Sequence, residues 1–308
     1  MTNSPFSFRS PALALSLATL FWSGNFIAGR ALHEVIDPVS LNFLRWSLAL
    51  VLLAPFLGPA AWASLPALRR EWRLILALGA SGIAAFHTLV YLALQSTTAT
   101  NALLVLSLAP ILTLIGAVIT GAGRFTRLQT AGALVSMAGA GILITRGDLA
   151  STLAHGFTAG DLWMLLAVVI WAVYSLLLRR RPADLSPSVT LVASVAAALV
   201  LMFPLYLFAP TPLASLGSPK VLLSIGYIAL FSSVFAFLLW SRGVAALGPA
   251  RAGQFVHLMP VFGPVLAFGL LGEAPTAAQV AGAVLVLSGI ALVERRATAL
   301  LPTGPKPA

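Results

Sequence analysis

The chain has 308 residues, of which 59% are hydrophobic and 8% charged, with a net charge of +10 and no cysteine. Soluble proteins carry about a quarter charged residues, so a soluble surface is excluded and lipid is the solvent for most of the chain. The missing cysteine excludes disulfides, thiolate metal sites and thiol nucleophiles, and basic residues gathered at helix ends, not on one face, argue against nucleic acid.

A membrane-crossing helix needs about 20 apolar residues. The first stretch that qualifies is 12–30. With Arg9 before it, this stretch resembles a secretory signal, but it is too long for a signal core, and Asn25, Gly29 and Arg30 in its last part bring no small-residue cleavage site. It reads as a retained helix. Further spans are expected at 39–57, 73–94, 98–119 and 128–146, then at 160–180, 187–208, 220–243, 249–271 and 277–294. The tail, 297–308, holds three prolines and reads as disordered. The expected fold is all-α, with ten transmembrane helices and loops too short for a soluble domain.

Lysine and arginine fix the orientation. With the N-terminus in the cytoplasm, the inner segments hold fourteen of them, among them Arg69, Arg70, Arg73, Arg124, Arg127 and Arg179 to Arg181. The outer segments hold three, Arg30, Arg146 and Lys220, and Arg45 is left inside the second span. Both termini are expected to be cytoplasmic, in the inner membrane of the cell. No carboxylate falls within a span; Glu34, Asp37, Asp148, Asp161 and Glu273 lie at outer ends, and Glu71, Asp184 and Glu294 at inner ends.

The chain repeats itself. A shift of 150 residues aligns Thr97–Gly139 with Leu247–Gly289, matching Pro110 to Pro260, Thr126 to Thr276, Gln129 to Gln279, Gly132 to Gly282 and Gly139 to Gly289. A shift of 149 matches Trp22 to Trp171, Pro38 to Pro187 and Pro55 to Pro204. Two halves of five helices follow, 1–150 and 151–296. Five is odd, so the second half enters the membrane inverted. Inverted repeats are common in secondary transporters, whose sites lie near the midplane between the halves. The alternative is a duplicated scaffold with no transport role.

Several motifs resemble the drug/metabolite transporter superfamily, in its EamA-type ten-helix branch. Phe21-Trp22-Ser23-Gly24-Asn25-Phe26 resembles the opening of its first helix. Pro38, Leu41 and Arg45-Trp46 resemble its second-helix pattern, and Ala93 to Ala102 followed by Pro110 its third-to-fourth junction. Gly272-Glu273, Gln279, Gly282 and Gly289 resemble its ninth-to-tenth junction, although Gly123 stands where the first half would repeat Glu273. Within the branch the chain looks most like the YddG-type exporters of aromatic amino acids. The resemblance implies export of amino acids with aromatic or hydrophobic side chains, and of flat organic-cation toxicants.

Polar groups in hydrocarbon are costly and usually face a bundle interior or a water-filled cavity. The candidates are Trp22 and Asn25; His87 and Tyr91; Asn101 and Ser107; Trp171 and Tyr174; and Gln254 and His257. His87 and Tyr91 are four apart on one helix face. Aromatics among neutral amide and imidazole groups suit a partly aromatic, uncharged or zwitterionic solute. The histidines have a second reading, as hydrogen-bond links between helices. Trp62, Trp72, Trp163 and Trp240 read as interface-belt residues. For Arg45 the expectation is an ion pair with Glu34 or Asp37; the alternative is binding of an anionic group.

Pro110 and Pro260 each free a backbone carbonyl, at Leu106 and Val256. Together with Gly263 and Pro264 they are candidate hinges, against the alternative of static kinks. Gly132, Ser136 and Ala140 form a small-residue face for close helix packing.

No metalloprotease, nucleophile-elbow or paired-aspartate motif is present in the sequence. The expectation is a non-enzymatic carrier that acts as a monomer, with a small-molecule substrate, the lipid bilayer as its surroundings and no cofactor. Rival classes are a phosphorylated-metabolite exchanger, an intramembrane enzyme and a channel.

Overall fold

The computed structural model describes residues 10–121, 126–150, 158–209, 217–262, 265 and 276–295, and all the regular structure among them is helical. Helix α1 is Pro11–Ala31, α2 is Pro38–Ala63 and α3, a short connector, is Leu65–Arg70. Helix α4 runs over Trp72–Ser96. Next come α5 (Ala99–Leu106), α6 (Ala109–Ile119) and α7 (Arg127–Thr145). The second half begins with α8 (Ala159–Leu178), α9 (Pro187–Leu207) and α10 (Pro219–Leu247). Helix α11 (Pro249–Gln254) passes into a 3-10 turn at Phe255–Leu258, and α12 is Ala277–Arg295.

Among the described residues, eight segments are long and apolar enough to cross a membrane: α1, α2, α4, the α5–α6 stretch Asn101–Ile119, α7, α8, α9 and α10. A shorter apolar stretch, Ala277–Val293, lies in α12. The candidate hinge residues Gly263 and Pro264 lie outside the described residues, as do Gly123, Gly272, Glu273 and the tail. The bundle surface is apolar. Phe56, Phe208 and Leu223 are more than 70% exposed, as suits helices facing acyl chains.

The helices start where the sequence supplies caps. Ser10, Asp37 and Ser186 accept hydrogen bonds from first-turn amides, each followed by proline at the first helical position. Thr126 and Gln129 form a capping box at α7, and Thr158 and Asp161 form one at α8. Thr276 and Gln279 make the same reciprocal contacts at α12. The Thr–Gln match between the halves is therefore a shared helix start.

A second shared device is a π-helical segment inside a long span. It covers Gly79–Ala85 in α4 and Ile228–Phe235 in α10, at matching places in the two halves. A π turn loosens the local hydrogen-bond ladder, and side chains from neighbouring helices take the carbonyls. Asn42 Nδ2 donates to Ile83 O at 2.9 Å and Ala84 O at 3.1 Å. Trp22 Nε1 donates to Ser232 O at 3.0 Å.

The halves pack mainly against each other. Helix α7 lies along α12 and α2 along α9, and each pair consists of repeat mates. The α4–α8 contact has its mirror in α10–α1. The α7–α12 contact explains the matched glycines. A Cβ on Gly132 would lie 2.7 Å from Gly289 O, and one on Gly139 would lie 2.7 Å from Gly282 O. Since 132 meets 289 and 139 meets 282, the two helices run antiparallel. Exchanging repeat mates turns one contact into the other, which is a local two-fold relation. Trp22 and Trp171 also meet as repeat mates, with ring centroids 5.2 Å apart.

Candidate functional site

Between the halves lies a closed cavity of about 20 Å³, lined by Trp22, Asn25 and Phe26 of α1, Phe86 and His87 of α4, Leu106, Trp171 of α8, Val256 and Met259. This is room for roughly one water, so the cavity is shut in this conformation.

An aromatic shell closes it. Trp171 packs at 4.7 Å from Phe86, 5.2 Å from Trp22, and 5.3 Å from both Tyr174 and Trp240, between ring centroids. Phe237 adds edge contacts to Trp22 at 5.5 Å and Trp46 at 4.9 Å. Edge and tilted contacts of this kind are the preferred arrangements of ring quadrupoles. Gly82, in the first π segment, leaves the space that Tyr174 fills; a Cβ there would come within 2.2 Å of the ring. Trp240 corrects an expectation. Its sequence position reads as interface belt, yet it is completely buried among Trp22 and Trp171. Trp62, Trp72 and Trp163 are exposed at the bundle surface.

A polar network adjoins the cavity through Asn25. Arg45 of α2 is fully buried. Its Nη1 donates to Asn25 Oδ1 at 2.9 Å and to Tyr91 OH at 2.6 Å, and its Nε donates to Ser233 Oγ at 2.8 Å. Tyr91 OH in turn donates to Asn25 Oδ1 at 2.7 Å. Ser233 sits in the second π segment, where its hydroxyl also donates to Ile228 O at 3.0 Å. The guanidinium lies 5.2 Å from the Trp46 ring centroid and 5.9 Å from that of Tyr91. Its Nη2 has no partner among the described residues. The expected ion pair with Glu34 or Asp37 is not formed. Arg45 turns inward to neutral oxygens, while Glu34 faces His33 and Asp37 caps α2.

Eight of the ten sequence candidates divide into three groups. Trp22, Asn25, His87 and Trp171 line the closed cavity. Tyr91 and Tyr174 stand one layer behind it, in the polar network and the aromatic shell. Asn101 and Ser107 line a different space, an open recess of about 680 Å³ flanked by Leu104, Met137 and Ile142. The larger space is not the better site, because the buried cation, the aromatic shell and the contact between repeat mates all surround the smaller one. Gln254 is buried, and its Oε1 has no partner among the described residues. The structure adds Phe86 and Phe237 to the sequence candidates and moves Trp240 from the belt into the shell; Ser233, Phe237 and Trp240 recur at helical spacing on α10, which is the signal that finds Phe237.

The chain matches the EamA-like transporter family over residues 9–145 and again over 158–295. The chain belongs to this family. It is a multi-pass membrane transporter built of two copies of the family unit. An uncharacterized transporter of Bacillus subtilis, YdeK, is 31% identical to it over 91% of this chain and 95% of the relative. A probable terminal-alkyne amino-acid exporter of Streptantibioticus cattleyicolor is 27% identical over 92% and 93%. A solved crystal structure matches with a TM-score of 0.76 and 24% identity, over 96% of this chain and 99% of the other, which shows the fold.

His257 of the transporter joins the two halves. Its Nε2 lies 2.8 Å from Ser107 O, and its Nδ1 lies 2.7 Å from Ser136 Oγ. A carbonyl only accepts, so Nε2 carries the hydrogen and Ser136 donates to Nδ1. Ser107 and His257 are repeat mates, and each sits in a helix break just before a matched proline: the α5–α6 break before Pro110 and the 3-10 turn before Pro260. Pro110 occupies the first turn of α6, where no intrahelical amide is required. Ser136→Ala is expected to destabilise the transporter by about 1–3 kcal/mol, because it leaves a buried ring nitrogen unpaired. Ser107→Ala keeps the carbonyl and should cost less. Thermal unfolding in detergent measures both.

Proposed function

We propose that this transporter exports amino acids with aromatic or hydrophobic side chains by alternating access around the closed central cavity. It has ten spans as two inverted halves, 1–150 and 151–296, lies in the cytoplasmic membrane with both termini on the cytoplasmic side, and works as a monomer. The observation that carries this reading is the aromatic-walled cavity between halves whose repeat mates, Trp22 and Trp171, touch across it. Such a wall suits an apolar side chain, and a two-fold arrangement lets each half take the other's conformation in turn. The antiparallel α7–α12 contact supports inversion, and the lysine and arginine bias supports the orientation. The relative from Streptantibioticus cattleyicolor, a probable exporter of a modified amino acid, supports the substrate class.

The two faces are held by different contacts between the halves. At one end Arg70 Nη2 pairs with Asp184 Oδ2 at 2.8 Å, and at the other Thr97 donates to Asp161 at 2.6 Å. The hydrogen bond from Arg70 holds the Asp184 carboxyl below its ordinary range. The pair therefore persists above that range and is lost as the pH falls through the lowered value. Pro110 and Pro260, beside the two helix breaks, are the proposed hinges. Organic cations fit less well, because Arg45 would repel them, and a phosphorylated metabolite would want more than this one buried cation.

Efflux from liposomes tests the proposal. Vesicles containing the purified protein and preloaded with radiolabelled phenylalanine or leucine are expected to lose label faster than empty vesicles, with saturation. Leak that never saturates, or no efflux of either amino acid, would sink it.

A further inference from the structure

A permanent cation buried in hydrocarbon is normally paired or hydrogen-bonded at every donor, since the isolated charge costs several kcal/mol. Arg45 breaks that expectation. It is wholly buried, and among the described residues no carboxylate pairs with it. Among the described residues its acceptors are one amide oxygen, one phenol and one serine hydroxyl, and Nη2 has none. It lies seven residues into α2, about 10 Å from the helix start at 1.5 Å per residue, and its head turns toward the bundle centre instead of snorkelling out.

We infer that Arg45 is the carboxylate subsite of the transport cavity, held in waiting by Asn25. This rests on the amino-acid reading given above. Asn25 belongs to both structures. It lines the closed cavity, and its Oδ1 takes the hydrogen bond from Arg45 Nη1 at 2.9 Å. That oxygen stands where one oxygen of a substrate carboxylate would bind. Nη2, without a partner among the described residues, serves the second oxygen. The Nη1–Nη2 edge of a guanidinium matches the two parallel acceptors of a carboxylate. Opening the cavity lets the substrate displace Asn25 Oδ1 and supply the missing negative charge. The aromatic rings around Trp171 then face the substrate's side chain. Asn25 and Tyr91 keep the cation hydrogen-bonded while the cavity is empty, which a fixed aspartate would do too well, because it would compete with the substrate permanently.

Two variants and two ligands test this. Arg45→Gln removes the charge. Asn25→Asp places a carboxylate within reach of Nη1. Phenylalanine and phenylalaninamide differ only in the carboxylate. In liposomes, the unmodified protein is expected to transport phenylalanine and to discriminate against phenylalaninamide by at least about 100-fold, as a site with a buried group left unpaired does. Both variants should lose phenylalanine transport by a similar factor. Neither should melt lower than the parent, and Asn25→Asp should melt higher, because both remove an uncompensated buried charge. Phenylalanine transport at the parent rate in both variants would overturn the subsite and leave the transporter reading standing. So would equal transport of acid and amide by the parent. A marked fall in the melting temperature of Arg45→Gln, with phenylalanine still raising it as it does for the parent, would assign Arg45 a purely structural role and overturn the proposal. Competitive inhibition by millimolar chloride, without acid–amide discrimination, would make the site one for an inorganic anion. Failure of the parent to move any amino acid is the separate outcome that removes the amino-acid reading itself.

Discussion

Gly139→Leu and Gly282→Leu are each expected to destabilise the protein by on the order of 3 kcal/mol, the upper end of overpacking penalties. Both glycines sit where α7 and α12 cross. A Cβ on Gly139 would lie 2.7 Å from the carbonyl of Gly282, and one on Gly282 would lie 2.8 Å from the carbonyl of Gly139. Flexible side chains can move aside, but these neighbours are backbone, so the helices themselves must separate. In lipid there is no hydrophobic drive to hold them together; close van der Waals packing of small residues is the main attraction. Gly141→Leu, on the same helix, meets nothing within 4 Å and serves as the control. The two crossing variants should melt well below the parent in detergent and the control close to it. Because Gly139 and Gly282 share one contact, the double variant should cost less than the sum of the singles.

Trp171→Ala is expected to abolish transport and to cost about 3–5 kcal/mol of stability, the usual range for emptying a buried tryptophan site. The indole is 3% exposed and touches Trp22, Phe86, Tyr174 and Trp240. Removing it opens a void where four rings and the closed cavity meet. Trp171→Phe keeps a ring in place and should retain stability better than activity, with KM rising more than kcat falls, because the wall loses contact area but not its apolar character. Trp163→Ala, on the lipid-facing side of the same helix at 43% exposed, should change stability by no more than about 0.5 kcal/mol. Saturation kinetics in liposomes and melting in detergent separate the three. Full transport by Trp171→Ala would place the substrate path elsewhere.

The glycine crossing and the tryptophan wall differ in how far the sequence reveals them. Apolar length and proline or serine caps mark most spans to within a few residues, because a membrane tolerates only segments that satisfy their own backbone. Helix α2 departs from this, and the expected ninth span, 249–271, lies partly outside the described residues. Hydropathy predicts the end of α2 at 57, and it continues to Ala63 through Pro55 and Pro59, since a membrane helix tolerates proline where neighbouring groups re-satisfy the freed carbonyls. The matched Gly132, Gly139, Gly282 and Gly289 signal close packing by their spacing alone. That they meet each other crosswise, and so relate the halves by a two-fold axis, is a property of the fold. The Thr126–Gln129 and Thr276–Gln279 match is legible as a repeat, and the structure gives its reason, a helix start that needs both side chains.

The sequence alone determined that the chain lives in lipid, that it is doubled, and that Trp22, Asn25, His87 and Trp171 sit deep in their spans. Composition, hydropathy and spacing act locally, and local rules suffice for these. Only the tertiary structure decided which deep residues meet. Arg45 lies close enough to Glu34 and Asp37 in sequence to suggest an ion pair, but the rotation of α2 aims it inward, at oxygens from α1, α4 and α10. Trp240 carries the same local signature as a belt tryptophan, and the packing of α10 on α1 buries it instead. Which way a side chain faces in a bundle depends on neighbours more than a hundred residues away, and no single helix contains that information.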